Sequence, residues 1–214
     1  MYLSRVELDT SRRSMIRALD MPNLIHGAVE SAFSGERERN LWRIDPLQGK
    51  LYLLLVSPAK PDLQRLVQQF GVPGQSWETR DYSPLLGCIQ AGSVWGFRLT
   101  ANPTKSCASK AGTERGVVHA HISTRYQEEW LLRQAEKHGF RLAEDGFSVV
   151  QTKWYAFRKG NIGNRVTFLS VTYEGTLQVT DPEVFRHALI QGIGRGKAYG
   201  MGMLTVIRAA QMSL

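Results

Sequence analysis

PEVFRHALIQGIGRGKAYGMGMLTVIRAA, residues 182–210, contains the order of elements that decides the fold. Asp181 followed by Pro182 is an N-cap and first-turn pair, and the spacing that follows predicts a helix over 182–194. MLTVIRAA (203–210) predicts a strand. Between them, GIGRGKAYGMG (192–202) sets two Gly-hydrophobic-Gly elements, 192–194 and 200–202, around five residues carrying Arg195 and Lys197. A dinucleotide-binding fingerprint and a P-loop both run strand, loop, helix, and a P-loop also ends in Lys then Ser or Thr. Here the order is helix, loop, strand, which rules against a nucleotide-dependent enzyme. In a βαββαβ unit such a loop joins the second helix to the fourth strand.

Working outward, the second half supplies the rest of that unit. VWGFRLTANP (94–103) reads as a strand, and TKSCASKAGTERG (104–116) as a basic loop without periodicity. VVHAHIS (117–123) reads as extended. TRYQEEWLLRQAEKHG (124–139) is a helix with Thr124 as its cap and Gly139 as its stop. FSVVQTKWYAFRKG (147–160) and NRVTFLSVTYEG (164–175) are strands around a turn-rich tip, and LQVTD (177–181) leads into the helix at 182. The first half repeats the pattern. There is a strand at 2–8, a helical region over 11–34 broken near Met21-Pro22, and strands at 40–45 and 50–57. A helix over 61–71 and a strand within 77–91 complete it. The expected fold is α+β, two tandem ferredoxin-like (RRM-like) βαββαβ domains, with residues 1–93 forming the first and 94–214 the second.

Composition agrees with a folded, polyanion-binding protein. Of 214 residues, 43% are hydrophobic and 21% charged, which are globular values. No apolar run reaches the ~18 residues of a membrane span. The polar opening MYLSRVELDTSRR is not a signal peptide, so the expected localisation is cytoplasmic. Cys88 and Cys107 make neither a metal spacing nor a disulfide framework. The formal net charge is +8. Residues 1–94 contribute only +1, from 11 Lys and Arg against 10 Asp and Glu; residues 95–214 contribute +7, from 16 against 9. The asymmetry points to a polyanion held mainly by the second half, with a generically basic soluble protein as the alternative. The glycines fit that reading. Their number costs backbone entropy, which close approach of a ligand backbone would offset. Amides of Gly192, Gly194, Gly200 and Gly202 are then placed to donate to phosphates, with Arg195 and Lys197 adding charge. An ordinary turn with packing glycines is the alternative.

The glycine loop and four other segments together resemble the CRISPR repeat endoribonucleases, specifically the CasE (Cse3) members of the type I-E Cascade. Those segments are MYLSRVEL (1–8), LWRID (41–45), FRLTANPTK (97–105) and VTYEGTLQV (171–179), beside GIGRGKAYGMGMLTV (192–206). The resemblance runs over essentially the whole chain. It implies two ferredoxin-like domains gripping a hairpin repeat in the CRISPR precursor transcript. One cut per repeat at the base of the stem, with neither metal nor cofactor, is implied too, leaving 2′,3′-cyclic phosphate and 5′-OH ends. The implied partners are the CRISPR repeat RNA, as precursor and as retained mature crRNA, and the other Cascade subunits, with no membrane.

The family's catalytic histidine lies in the first helical region, which maps it to His26 in MPNLIHGAVESAF (21–33). Metal-free RNA cleavage uses the 2′-OH as internal nucleophile and needs a group that moves a proton near neutral pH, which suits histidine. Some members carry a tyrosine three before it and a lysine five after it. Here Asn23 and Ser31 stand there, so a supporting role would pass to Ser34, Arg37 or Lys197. Lys153, Arg158, Lys159 and Arg165 flank the tip of the hairpin expected to read the stem, and Trp154, Tyr155 and Phe157 interleave with them. Because A-form RNA is recognised by shape and backbone, a projecting cationic ribbon is a suitable reader; for Trp154 a core position is the expectation. Lys105, Lys110 and Arg115, in the basic loop, are expected to fold down on RNA. His119 and His121 lack a third metal ligand, His138 fits the cationic last turn of a helix, and His187 reads as structural. A non-catalytic ferredoxin-like RNA-binding subunit is the rival function, and it has no need of His26.

Overall fold

The computed structural model of the chain describes residues 1–36, 38–107, 117–143, 145–158 and 165–208. β1 (Tyr2–Leu8) alternates as its sequence does, with Ser4, Val6 and Leu8 turned inward. The first helical region is two helices, α1 (Arg13–Asp20) and α2 (Pro22–Glu30). Met21 between them sits at φ −125° and ψ 75°, because a residue before proline is pushed out of the helical region. β2 (Leu41–Leu47) and β3 (Lys50–Ser57) form a hairpin, followed by α3 (Gln64–Phe70) and β4 (Glu78–Asp81). The sheet order is β2-β3-β1-β4, all antiparallel, which is the ferredoxin-like order. Val6, Met15, Ile25, Val29, Leu55 and Phe70 anchor its core.

The second unit repeats the order. β5 (Val94–Ala101), α5 (Thr124–Lys137), β9 (Phe147–Arg158), β10 (Arg165–Val179), α6 (Pro182–Gln191) and β11 (Leu204–Arg208) are its βαββαβ elements. The strands lie in the order β11-β5-β10-β9, and a two-residue strand, β8 (Phe140–Arg141), pairs with the far end of β10. The core under α5 and α6 contains Trp95, Leu99, Leu131, Val171, Tyr173 and Phe185. Leu41 and Val56 of the first unit join that same core.

Several boundaries differ from the sequence reading. Within 77–91 only Glu78–Asp81 is strand, because Pro84 starts a short helix, α4 (Ser83–Gly87). The stretch read as a basic loop opens with β6 (Thr104–Cys107), which pairs with β7 (Val117–Ala120); residues 108–116 lie outside the described residues. Ser123, not Thr124, is the N-cap residue of α5, and it makes no side-chain cap bond. Asp181 caps α6 as expected, its Oδ1 accepting from the Glu183 and Val184 amides at 3.0 and 3.1 Å. That helix ends at Gln191, three residues early, because Gly192 turns to φ 73°. Among the described residues no helix is long and apolar enough to cross a membrane.

Candidate nucleic-acid interface and catalytic residue

The glycine loop runs from the end of α6 to β11. Gly192, Gly194, Gly196, Gly200 and Gly202 all have φ between 73° and 86°, the left-handed region that a side chain resists. What lies closest to them is protein. A Cβ on Gly200 would stand 2.8 Å from the Trp42 ring, and one on Gly192 would stand 2.8 Å from Leu41. On Gly194 it would be 3.1 Å from the Trp130 ring. Much of the backbone is also committed internally. The Ile193 amide donates to Gly202 O (2.8 Å), Gly202 to Thr100 O (2.6 Å) and Tyr199 to Gly196 O (2.8 Å). With Arg195 bridged to Asn102, the amides left to meet a phosphate are those of Gly194, Gly196, Lys197 and Ala198.

Successive residues of β2 form the seat on which this loop rests. Leu41 lies under Gly192 and Trp42 under Gly200. The next residue, Arg43, is 2% exposed and spends all five N–H donors. Nε and Nη2 grip the Asp45 carboxylate at 2.7 and 2.5 Å. Nη2 also donates to Thr205 Oγ1 (2.6 Å), and Nη1 donates to Arg98 O (2.8 Å) and Met203 O (2.6 Å). Asp45, also 2% exposed, lies 3.1 Å from Arg98 Nε, off the line of a hydrogen bond, so that contact is ionic. Arg98 in turn pairs with Glu174. The charges alternate from one strand of the first unit, β2, through two of the second, β5 and β10. In the sequence, LWRID (41–45) stands out only through the resemblance it helps to carry. The readable signal was an Arg and an Asp two apart, hence on one face, in an otherwise apolar strand.

His26 stands on α2 beside Ile25, Ala28 and Val29, which are buried against the first core. Its side chain is 21% exposed, and Nδ1 lies 3.8 Å from Glu30 Oε1 one turn on, a contact that attracts when the imidazole is charged. Gly27 beside it leaves open space. α2 packs against the 3-10 turn Lys197–Tyr199, so the histidine's helix and the basic loop of the other unit meet. Lys197 is half-buried, and its ammonium donates to Gly194 O at 2.8 Å. Burial, and then the nearby Arg39 guanidinium, push its pKa down. Arg39 was missed in the sequence; nothing local marks it as Lys197's neighbour. Arg195 is exposed, and its backbone bridges to Asn102. Ser31 Oγ is used within its own helix, on Ala28 O at 2.8 Å, and Ser34 is exposed just beyond. Arg37 lies outside the described residues.

The other predicted cations divide. Arg158 and Arg165 are exposed and directly opposite one another at the end of the β9–β10 hairpin. Lys153 is held, donating to Asp20 Oδ1 at 3.0 Å and standing 4.6 Å over the Tyr155 ring. Lys105 is exposed on β6, opposite His119. Lys110, Arg115 and Lys159 lie outside the described residues. Phe157 and Phe168 pack with Met201 and Tyr199, which roots the hairpin in the glycine loop. Trp154, expected in the core, is 51% exposed, because β9 is an edge strand and the residue points away from that cluster. His121 is buried, its pKa pushed down by desolvation first and then by Arg133 and Lys105. No group of three metal-ligating side chains forms around it among the described residues. His138 is the C-cap residue of α5. It is held at 2.8 Å from Gln134 O and its pKa is pushed down, chiefly by burial. His187 is exposed on α6.

The family model described as CRISPR associated protein matches residues 1–208. The chain is 31% identical over 220 residues to the CRISPR-associated endoribonuclease Cse3 of Thermus thermophilus, covering 96% of this chain and 99% of that protein. A solved structure of CRISPR endoribonuclease Cse3 bound to 19 nt RNA superposes with a TM-score of 0.81 at 30% identity, covering 97% of this chain and all of that one. Thermus thermophilus Cse3 bound to an RNA representing a pre-cleavage complex gives 0.79 at 28%, over 96% and 98% of the two chains. A chain of a CRISPR RNA-guided surveillance complex, at 23% identity and a TM-score of 0.73 over 97% and 100%, shares the fold. With both ferredoxin-like units matched from end to end, the chain belongs to the CRISPR-associated protein family and to its Cse3 endoribonucleases.

Proposed function

We propose that this protein is a metal-independent endoribonuclease of CRISPR precursor RNA. It binds the repeat stem-loop, cuts at the base of the stem and retains the mature crRNA within Cascade. What carries the reading is that His26 stands on the helix packed against the basic glycine loop of the second unit, in a chain matched along its length by an RNA-bound relative. The 2′-OH of the nucleotide 5′ to the cut gives up its proton and attacks the adjacent phosphorus in line. The P–O5′ bond breaks, and the departing 5′-oxygen takes a proton. The products are a 2′,3′-cyclic phosphate and a 5′-OH. His26 moves a proton at one end of that displacement. Lys197, with Arg39 near it, supplies positive charge where the phosphorane gains negative charge. The exposed pair Arg158 and Arg165, with Trp154 further along the same hairpin, meets the stem together with Lys159, and Lys105, Lys110 and Arg195 hold flanking phosphates. Gly192, Gly194, Gly200 and Gly202 shape the loop that presents Arg195 and Lys197.

The test is cleavage of the repeat RNA of the protein's own host in excess EDTA. Wild type is expected to cut once, and His26→Ala to bind normally while cutting about 10²–10⁴-fold more slowly. A substrate with 2′-deoxy at the cut site should bind and stay whole. Undiminished cleavage by His26→Ala would sink the assignment, and binding without cleavage by wild type would favour the rival RNA-binding subunit.

A further inference from the structure

We infer that Arg43 and Asp45 are positioning residues for the cut, a clasp that sets where the glycine loop stands relative to the helix carrying His26. The inference rests on the functional reading above. The clasp belongs to β2 of the first unit, yet most of what it holds belongs to the second. Arg43 donates to Met203 O at the C-terminal foot of the glycine loop, to Thr205 Oγ1 on β11 and to Arg98 O on β5. Asp45 returns an ionic contact to Arg98, and Arg98 passes it to Glu174 on β10. One planar guanidinium therefore fixes two strands of one unit, β5 and β11, against one strand of the other, and the Asp45–Arg98–Glu174 relay extends the tie to β10. Its five bonds, 2.5 to 2.8 Å long, leave it no second arrangement.

The loop's own bonds transmit that constraint. Its two ends are tied together through Ile193 N to Gly202 O, and Gly202 N is tied to Thr100 O on β5. Trp42, beside Arg43 in sequence, supports Gly200, and the 3-10 turn between those ends packs on α2. Moving the foot of the loop moves Lys197 relative to His26.

Stability alone does not account for such a network. Buried ion pairs contribute little net stability, since desolvation offsets the attraction, and apolar replacements are often neutral or better. Directional bonds do define a unique geometry, and reacting groups tolerate little displacement. Lysine cannot replace Arg43, because it offers three donors from one point and no bidentate grip on Asp45.

The test uses Arg43→Met/Asp45→Leu, which removes both charges together, and Thr205→Val, which removes the bond accepted from Arg43 and the weaker one donated to Arg98 O at nearly constant volume. Spin labels at Ser31 and Arg195, both exposed, report the distance between α2 and the loop once the exposed Cys88 and Cys107 are changed to serine. Wild type should give one narrow distance distribution, and the double variant a broadened or shifted one with little change in melting. Single-turnover cleavage at saturating protein should fall about ten- to a hundredfold while stem binding stays within about twofold. If the double variant fails to fold, Thr205→Val decides, with an expected loss of about threefold in cleavage at unchanged binding and a melting loss of no more than the few degrees that one unsatisfied buried donor causes. An unchanged distance distribution in the folded variant would overturn the clasp, whatever the RNA assays show. So would a wild-type cleavage rate in it. The distances are read without RNA, so absence of cleavage by wild type would break the functional reading and leave the clasp to be judged on them.

Discussion

The glycine loop and the outer end of the β9–β10 hairpin are both basic, and they are built in opposite ways. In the loop each glycine meets a neighbour, Lys197 caps a carbonyl, and the backbone bonds to itself and to β5. At the hairpin end Arg158 and Arg165 face each other across the strands, exposed, with like charges where a stable sheet would place opposite ones. The loop's charge is carried by a rigid part that must stand in one place. The hairpin's charge is a surface whose repulsion a polyanion relieves. Positioning and affinity are thus separated in the molecule, and substitutions should separate them as well.

The largest effect expected outside His26 is at Gly200. Gly200→Ala drives a methyl to 2.8 Å from the Trp42 ring at φ 78°. Overpacking and the left-handed backbone together should cost about 2–4 kcal/mol, lowering Tm by about 5–10 °C. Gly194→Ala, 3.1 Å from Trp130, should cost less. Calorimetry reads both. Normal melting with impaired RNA binding would put the glycines at the RNA and erase the contrast.

Arg158→Ala and Arg165→Ala should do the reverse. Melting should change by less than about 0.5 kcal/mol, as for surface residues without partners. RNA affinity should fall, and the log–log salt slope of binding should flatten by about 0.7–0.9 per lost phosphate contact. Arg12→Ala is the control: Arg12 donates to Gln68 O at 2.6 Å and bonds to Asp9, so its loss should touch stability and leave the salt slope alone. Equal slopes for all three variants would mean that the charge acts diffusely.

The smallest effect concerns His138, at the end of α5. Burial holds its folded pKa below the unfolded value of about 6.5, so the unfolded chain binds the proton more readily. Its contribution should therefore be neutral above about pH 7 and should erode stability as pH falls through the unfolded value toward the folded one. His138→Gln keeps a donor for Gln134 O and should flatten that acid limb. Urea melts of both proteins from about pH 7.5 to 5 check the sign.

The sequence by itself determined the order of elements, because helix and strand periodicity, proline after Met21 and after Asp181, and the glycines after α6 are local instructions. His26 became legible through a resemblance; its residue type and its place after a helix break were readable, but nothing local distinguishes it from a surface histidine. The remainder depended on contacts between residues far apart in the chain. Gly200 and Trp42, Arg43 and Met203, Arg39 and Lys197 come together only where the two units pack on each other. Periodicity states which face of a strand is apolar. Only the tertiary structure states what is packed against it, and that decided which glycines meet protein, which cations stay exposed and which charged pair ties the two units together.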